Sequence, residues 1–271
     1  MVHVLPRAAV LRRATATLLP SLAAIAIHPL HAVAAGGPLE EVRKAASVVP
    51  GYGPPDLLFP SAFKGRWRVT RSVVDIATPL GREKAPMQEL AATERQAAVP
   101  QVFDARFVET SDVAAYGESV IPDRAFNAAQ REAALSGVPI DVLEARWSAS
   151  NPNVVTMRNS ISGSVVETKV TKRSVETPGE RVFGTSEYAR VADAGSSGVL
   201  GGVPRILATR ERVRYRWGDA SVDAQGGPAA PRVIEALAIE SVYDPTQTGF
   251  ADLAGATPVL TVKSRLVLER R

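Results

Sequence analysis

The 271-residue chain contains no cysteine, and its three histidines, His3, His28 and His31, all fall within the first 35 residues. Beyond that leader the chain has neither imidazole nor thiol. This excludes Ser-His and Cys-His nucleophile pairs, an imidazole general base, zinc held by His or Cys, axial histidine ligation of haem and thiolate-held iron–sulfur clusters. No cofactor and no metal site is expected. An excess of one charge is missing too. The chain carries 32 Lys and Arg against 28 Asp and Glu; Arg7, Arg12 and Arg13 sit in a leader without a carboxylate, so 29 against 28 remain beyond it. A nearly neutral body lacks the electrostatic footprint of a nucleic-acid binder, and no such partner is expected. Hydrophobic content of 45% is ordinary, and a chain of this length can bury a core without disulfide staples.

The leader reads as an export signal over residues 1–34. Arg12-Arg13 precedes an uncharged run, Ala14 to Leu30, and His31-Ala32-Val33-Ala34-Ala35 supplies a small-x-small cleavage site after Ala34. The competing reading is a membrane anchor. Pro20, His28 and Pro29 interrupt the run, which barely reaches the roughly 30 Å of a bilayer core. No stable membrane span is expected after cleavage. Residues 35–60 read as an approach segment, with a short helix over Pro38 to Ser47 and a stiff loop at Pro50-Gly51-Tyr52-Gly53-Pro54-Pro55.

Residues 61–271 read as one antiparallel β domain. In Glu211-Arg212-Val213-Arg214-Tyr215-Arg216-Trp217, Val213, Tyr215 and Trp217 share one face and the arginines the other. Leu260 to Arg270 repeats the pattern. Trp67 to Asp75, Val102 to Val108, Val142 to Trp147, Val154 to Met157, Ser164 to Val170, Val182 to Val191 and Val233 to Tyr243 are also strand-like, being rich in β-branched and aromatic residues. Asn151-Pro152-Asn153 reads as a turn, and Ala194 to Pro204 and Gly218 to Pro231 as loops. One helix interrupts the series, capped by Asp123, running from Arg124 to Leu135 and ended by Gly137. Many short strands with one helix point to a closed barrel or a sandwich.

Four groups of residues carry possible chemistry. Gly65-Arg66-Trp67 opens the first long strand and resembles the Gly-x-Trp signature of lipocalin-like barrels. On that resemblance, Gly65, Trp67 and Arg265 of the last strand form a lock, the guanidinium lying across the indole. The ladder Arg212, Arg214, Arg216 is either an anion-binding wall in a cavity or a solvated sheet face, with the solvated face the better reading. The glycines of 195–202 lack the lysine and helix of a phosphate loop. Carboxylates are the catalytic route that survives without histidine; Asp75, Asp104, Glu109, Glu144, Glu167, Glu176 and Glu187 are scattered among the strands, with no spacing that makes two converge.

Further stretches resemble an uncharacterised family of cyanobacteria and of plastids, whose eukaryotic members are usually assigned to the thylakoid lumen. They are Phe59-Pro60, Phe63-Lys64-Gly65-Arg66-Trp67, Ile121 to Asn127, Asn151-Pro152-Asn153, Arg173 to Pro178, Thr185-Ser186-Glu187 and Arg265 to Glu269. The resemblance implies a lumenal or periplasm-like address and a barrel-like domain, and no activity. The expected function is therefore a non-enzymatic lumenal binding protein. Its lipocalin-like barrel holds a small apolar ligand such as a lipid, pigment or quinone, with Trp67, Trp147, Tyr215 and Trp217 as candidate lining. The alternatives are an assembly factor partnering a thylakoid membrane complex, and a carboxylate-based enzyme.

Overall fold

The computed structural model describes residues 55–110, 119–148, 151–195, 204–218, 230–244, 253 and 255–271. The export signal, the helix over Pro38 to Ser47 and most of the Pro50–Pro55 and 194–204 and 218–231 loops lie outside the described residues. Among the described residues ten strands form one antiparallel sheet: β1 (Gly65–Ala77), β2 (Gln101–Glu109), β3 (Val120–Pro122), β4 (Leu143–Ser148), β5 (Asn151–Asn159), β6 (Val165–Gly179), β7 (Val182–Asp193), β8 (Arg205–Trp217), β9 (Val233–Tyr243) and β10 (Leu260–Arg270). Their order is β3-β2-β1-β10-β9-β8-β7-β6-β5-β4. The chain thus returns from its last strand to its first, and β10 joins the N-terminal strands to the β4–β9 meander. The sheet curls into a half-barrel whose two ends, β3 and β4, do not pair.

Among the described residues two α-helices accompany it, α1 (Met87–Ala97) and α2 (Arg124–Ser136). α2 is the helix that the sequence marks. The Asp123 side chain accepts the Phe126 N–H at 3.0 Å, satisfying one of the free donors of the first turn. Gly137 closes the helix in the left-handed region at φ 72°. α2 packs against β2 on one side and β4 and β5 on the other, so it spans the opening between the ends of the curled sheet. Asn127 fixes the β2 side: its Oδ1 accepts the Arg106 N–H at 2.7 Å and its Nδ2 donates to the Arg106 carbonyl at 3.1 Å. α1 is a helix without a sequence stripe. Leu90 and Thr93 are its buried residues, too few to make a helical period visible.

Strand parity sorts the side chains. Trp67 and Val69 of β1, Ala105 and Phe107 of β2, Leu268 of β10, Ile234 of β9 and Phe183 of β7 face inward with Leu57 and Phe59 from the approach segment and Phe63 just after it. Phe63 meets Tyr215 and Trp217 edge-on, at 5.0 and 5.5 Å, and Phe183 stacks on Tyr215. Such contacts add about 0.5–1.5 kcal/mol each beyond area burial.

The structure corrects two sequence expectations. Asn151-Pro152-Asn153 is the start of β5, not a turn. The β5–β6 ladder begins only at Val154, so Pro152 costs no ladder bond. The guanidinium over Trp67 belongs to Arg270, 4.3 Å from the ring centroid, not to Arg265. Parity is the reason. Arg270 pairs directly with Trp67 across β1 and β10, whereas Arg265 points to the opposite face and donates to Glu235 at 2.9 Å. Arg270 also donates to the carbonyls of Ala62, Lys64 and Pro231 at 2.6–3.0 Å. Gly65, at φ 106°, lets the chain pass beneath it; a Cβ there would meet Arg270 Nη1 at 3.4 Å.

Candidate functional site

Between the concave face of the sheet and α2 lies a cavity of about 580 Å³. Its walls are mainly apolar, including Val69, Phe103, Val155, Val170, Val191 and Tyr215. Across the floor runs a row of charge. Cross-strand pairing sets Arg173 of β6 opposite Glu187 of β7, Glu187 opposite Glu211 of β8, and Glu211 opposite Glu240 of β9. Directly opposed side chains have Cβ atoms about 4.5–5.5 Å apart, and like charges at that spacing repel. Three neighbouring glutamates on an inward face require cations from elsewhere.

α2 and β1 supply them. Arg124 of α2 takes Glu187 through two bonds, 2.9 and 3.3 Å, and Asp56 at 2.5 Å. Arg131, two turns further along, reaches Glu211 at 3.0 Å and Glu240 at 2.7 Å. Arg71 of β1 approaches Glu240 at 3.4 Å and donates to Gln101 at 3.0 Å. Arg173 completes the belt, with Glu187 at 2.5 Å, Asn153 Oδ1 at 2.6 Å, and the carbonyls of Pro152 and Pro55 at 2.9 and 3.1 Å. Stretches far apart in sequence, Pro152-Asn153, Arg173, Glu187 and Arg124, therefore meet in one buried cluster.

The environments of the three glutamates diverge. Burial pushes the Glu211 carboxyl above its ordinary value; Arg131 opposes this, while Glu240 and Glu187 add to it. Burial would raise Glu187 as well, yet Arg124 and Arg173 together hold it low. For Glu240, burial is likewise outweighed, by Arg131 and Arg71. The Tyr215 hydroxyl is pushed strongly upward, by burial first and then by Glu211 and Glu187. Glu211 remains the most open of the three, with 38% of its side chain accessible against 18% for Glu187 and 28% for Glu240. Because it lines the cavity, that open surface is available to an occupant.

Of the four lining residues expected from sequence, Tyr215 alone borders the cavity. Trp67 is fully buried beneath Arg270 and donates its indole N–H to the Phe63 carbonyl at 2.7 Å. Trp217 packs at the aromatic end of the core, and Trp147 sits half-buried on β4. Arg212, Arg214 and Arg216 occupy the exposed convex face. Among the scattered carboxylates, Asp75 pairs with Lys263 at 3.3 Å, Asp104 with Arg66 and Arg271 at 2.7 and 3.0 Å, Glu109 with Lys64, and Glu167 with Arg190 at 3.5 Å. Glu187 is the one of that set in the cavity. Sequence reasoning does not single out Glu211, Glu240, Arg71, Arg124, Arg131 and Arg173, although a signal exists. Each of the strand residues Glu211, Glu240 and Arg71 lies in phase with apolar neighbours: Glu211 with Val213 and Tyr215, Glu240 with Ala236 and Ala238, Arg71 with Trp67 and Val69. A charge on the apolar parity of a strand is held inside.

Among the described residues, no group of three or more carboxylate, His or Cys side chains could hold a metal ion, and no helix is long and apolar enough to cross a membrane. No curated protein and no solved structure matches the chain. Residues 51–271, which contain every strand and helix of the half-barrel, match the model of a family described as a domain of unknown function (DUF6816), and the chain belongs to that family.

Proposed function

We propose that the half-barrel is a binding module for one small amphipathic molecule, its apolar body held between the sheet and α2 and its polar end on the charged belt. The cavity carries this reading. About 580 Å³ lies within the 300–1,000 Å³ range usual for ligand pockets, which are mostly apolar with a few convergent polar groups. The signal-like residues 1–34 and the family resemblance support an exported, lumenal address for the module. Ala238, buried on the cavity floor, gives a direct test. Ala238→Leu places a larger side chain in the void, so an environment-sensitive apolar probe that binds the natural chain should lose its signal on the variant while far-UV circular dichroism is retained. Equal probe binding by both chains would refute the cavity as the site.

A second reading has one observation in its favour. A carboxyl raised by burial beside two held low is the division of roles found in acid–base pairs. An enzyme of this kind would show turnover lost in both Glu211→Gln and Glu187→Gln; a binding module shows altered affinity and no turnover.

A further inference from the structure

The cavity's ion pairs are not evenly shared, and the inequality bears on what the cavity accepts. This step rests on the binding reading above. Four arginines, Arg71, Arg124, Arg131 and Arg173, face four carboxylates, Asp56, Glu187, Glu211 and Glu240. Every one of those guanidinium groups is already engaged by a carboxylate. Arg210, at the margin of the lining, is turned away, donating to Ser186 at 3.1 Å and covering the Tyr188 ring at 4.7 Å. Among the described residues, an anionic headgroup entering the cavity would meet no free cation and four glutamates, Glu132, Glu187, Glu211 and Glu240.

The carboxylates are served unequally. Glu187 receives Arg124 and Arg173, and Glu240 receives Arg131 and Arg71. Among the described residues Glu211 receives only Arg131, which it shares with Glu240. Glu132, next to Arg131 on α2, adds another carboxylate to the lining without adding a cation. The groups facing Glu211 are thus Glu187 on β7, Glu240 on β9, Arg131 and Glu132 on α2, Arg71 on β1, whose charge reaches it without an ion pair, and Tyr215 four residues along its own strand. From this arrangement we infer that Glu211 anchors the occupant, and that the occupant's polar end is a protonated amine on an apolar body. An ammonium at that point supplies the missing cation, while the apolar walls take the hydrocarbon. The upward displacement of the Glu211 carboxyl by burial and by its two glutamate neighbours is the expected sign of a carboxylate short of positive charge.

Three probes of equal chain length test this on the full chain: decylamine, 1-decanol and decanoate, titrated below their micellar concentrations by calorimetry at neutral pH. The amine should bind most tightly and decanoate most weakly. Glu211→Gln should weaken amine binding by roughly tenfold to a hundredfold, the range for a lost charge-assisted hydrogen bond, and leave decanol unchanged. Glu211→Asp should retain part of the preference. Amine affinity of the natural chain should also fall as the pH is lowered toward the carboxylate range. Decanoate binding as tightly as the amine, or an unchanged amine affinity in Glu211→Gln, overturns the inference while leaving the cavity reading intact. Failure of all three probes to bind overturns both.

Discussion

Replacing Arg173 with Met removes the guanidinium and keeps most of the stem. Its side chain is 1% accessible, and it serves Glu187, Asn153 and the carbonyls of Pro152 and Pro55. Breaking a buried ion pair by removing one partner costs about 3–5 kcal/mol, because the remaining charge keeps its desolvation penalty. Two features place Arg173→Met toward the lower end. Glu187 retains Arg124, and the Arg173 pKa is lowered, by burial first and then by repulsion from the nearby Arg124. The stranded acceptors act the other way, each costing about 1–3 kcal/mol if left dry, though such costs do not simply add. A net loss of about 3 kcal/mol, with a urea m-value of about 2 kcal/mol/M, lowers the unfolding midpoint by about 1.5 M. Tryptophan fluorescence follows the transition. Arg265→Met is the control: its partner Glu235 is on the exposed convex face, where solvent screening leaves such pairs with little effect on stability. The double variant Arg173→Met with Glu187→Gln should lose less than the two single losses combined, by about 0.5–3 kcal/mol, as coupled neighbours do. If Arg173→Met moves the midpoint no further than Arg265→Met, the belt is not a buried network and the reasoning fails.

Other consequences can be checked on the same instruments. Glu211 has a raised folded pKa, so the folded chain holds the extra proton, and stability from this group is present at low pH and lost as pH rises through that pKa. Glu211→Gln should therefore gain stability relative to the natural chain as pH increases above about 4.3, in urea titrations at several pH values. Glu187 behaves oppositely: its depressed pKa stabilises above the unfolded value, and Glu187→Gln should flatten the loss seen on acidification. Asp123→Ala removes the α2 cap and should lower stability by about 0.5–2 kcal/mol, with the loss of its pair to Arg106 adding to this. Arg270→Ala should lower the melting temperature more than Arg265→Ala, since only Arg270 lies over Trp67 and holds three backbone carbonyls.

Much of the fold is legible in the sequence because its signals are local. Alternation marks β8 and β10, and Asp123 and Gly137 bracket α2 with cap chemistry that needs no tertiary context. The features that local reading misses are decided elsewhere in the chain. α1 offers one large apolar residue, Leu90, to a neighbour that only the folded sheet supplies. Asn151–Asn153 has turn composition, but Arg173, some twenty residues on, binds Pro152 and Asn153 and holds the segment extended. The lock at Trp67 is right in kind and wrong in partner, because the choice between Arg265 and Arg270 depends on parity against β1. The cavity residues are hidden for a similar reason. Composition alone treats Glu211 and Glu240 as solvated, and only their phase with Val213, Tyr215 and Ala238 turns them inward. That phase is readable in the sequence; which cation answers each carboxylate is not, since Arg131 and Arg124 arrive from a helix whose position depends on the curl of the whole sheet.

The central claim is that the half-barrel holds a small molecule with an apolar body and an amine end. The most direct test is native mass spectrometry of the protein isolated from its own source, followed by organic extraction and accurate-mass analysis of what is released. The account predicts one bound small molecule per chain, apolar with a basic nitrogen, that is missing from the Ala238→Leu variant isolated in the same way. A chain that carries the same molecule with its cavity filled by Ala238→Leu, or one that carries an acidic lipid instead, would contradict it.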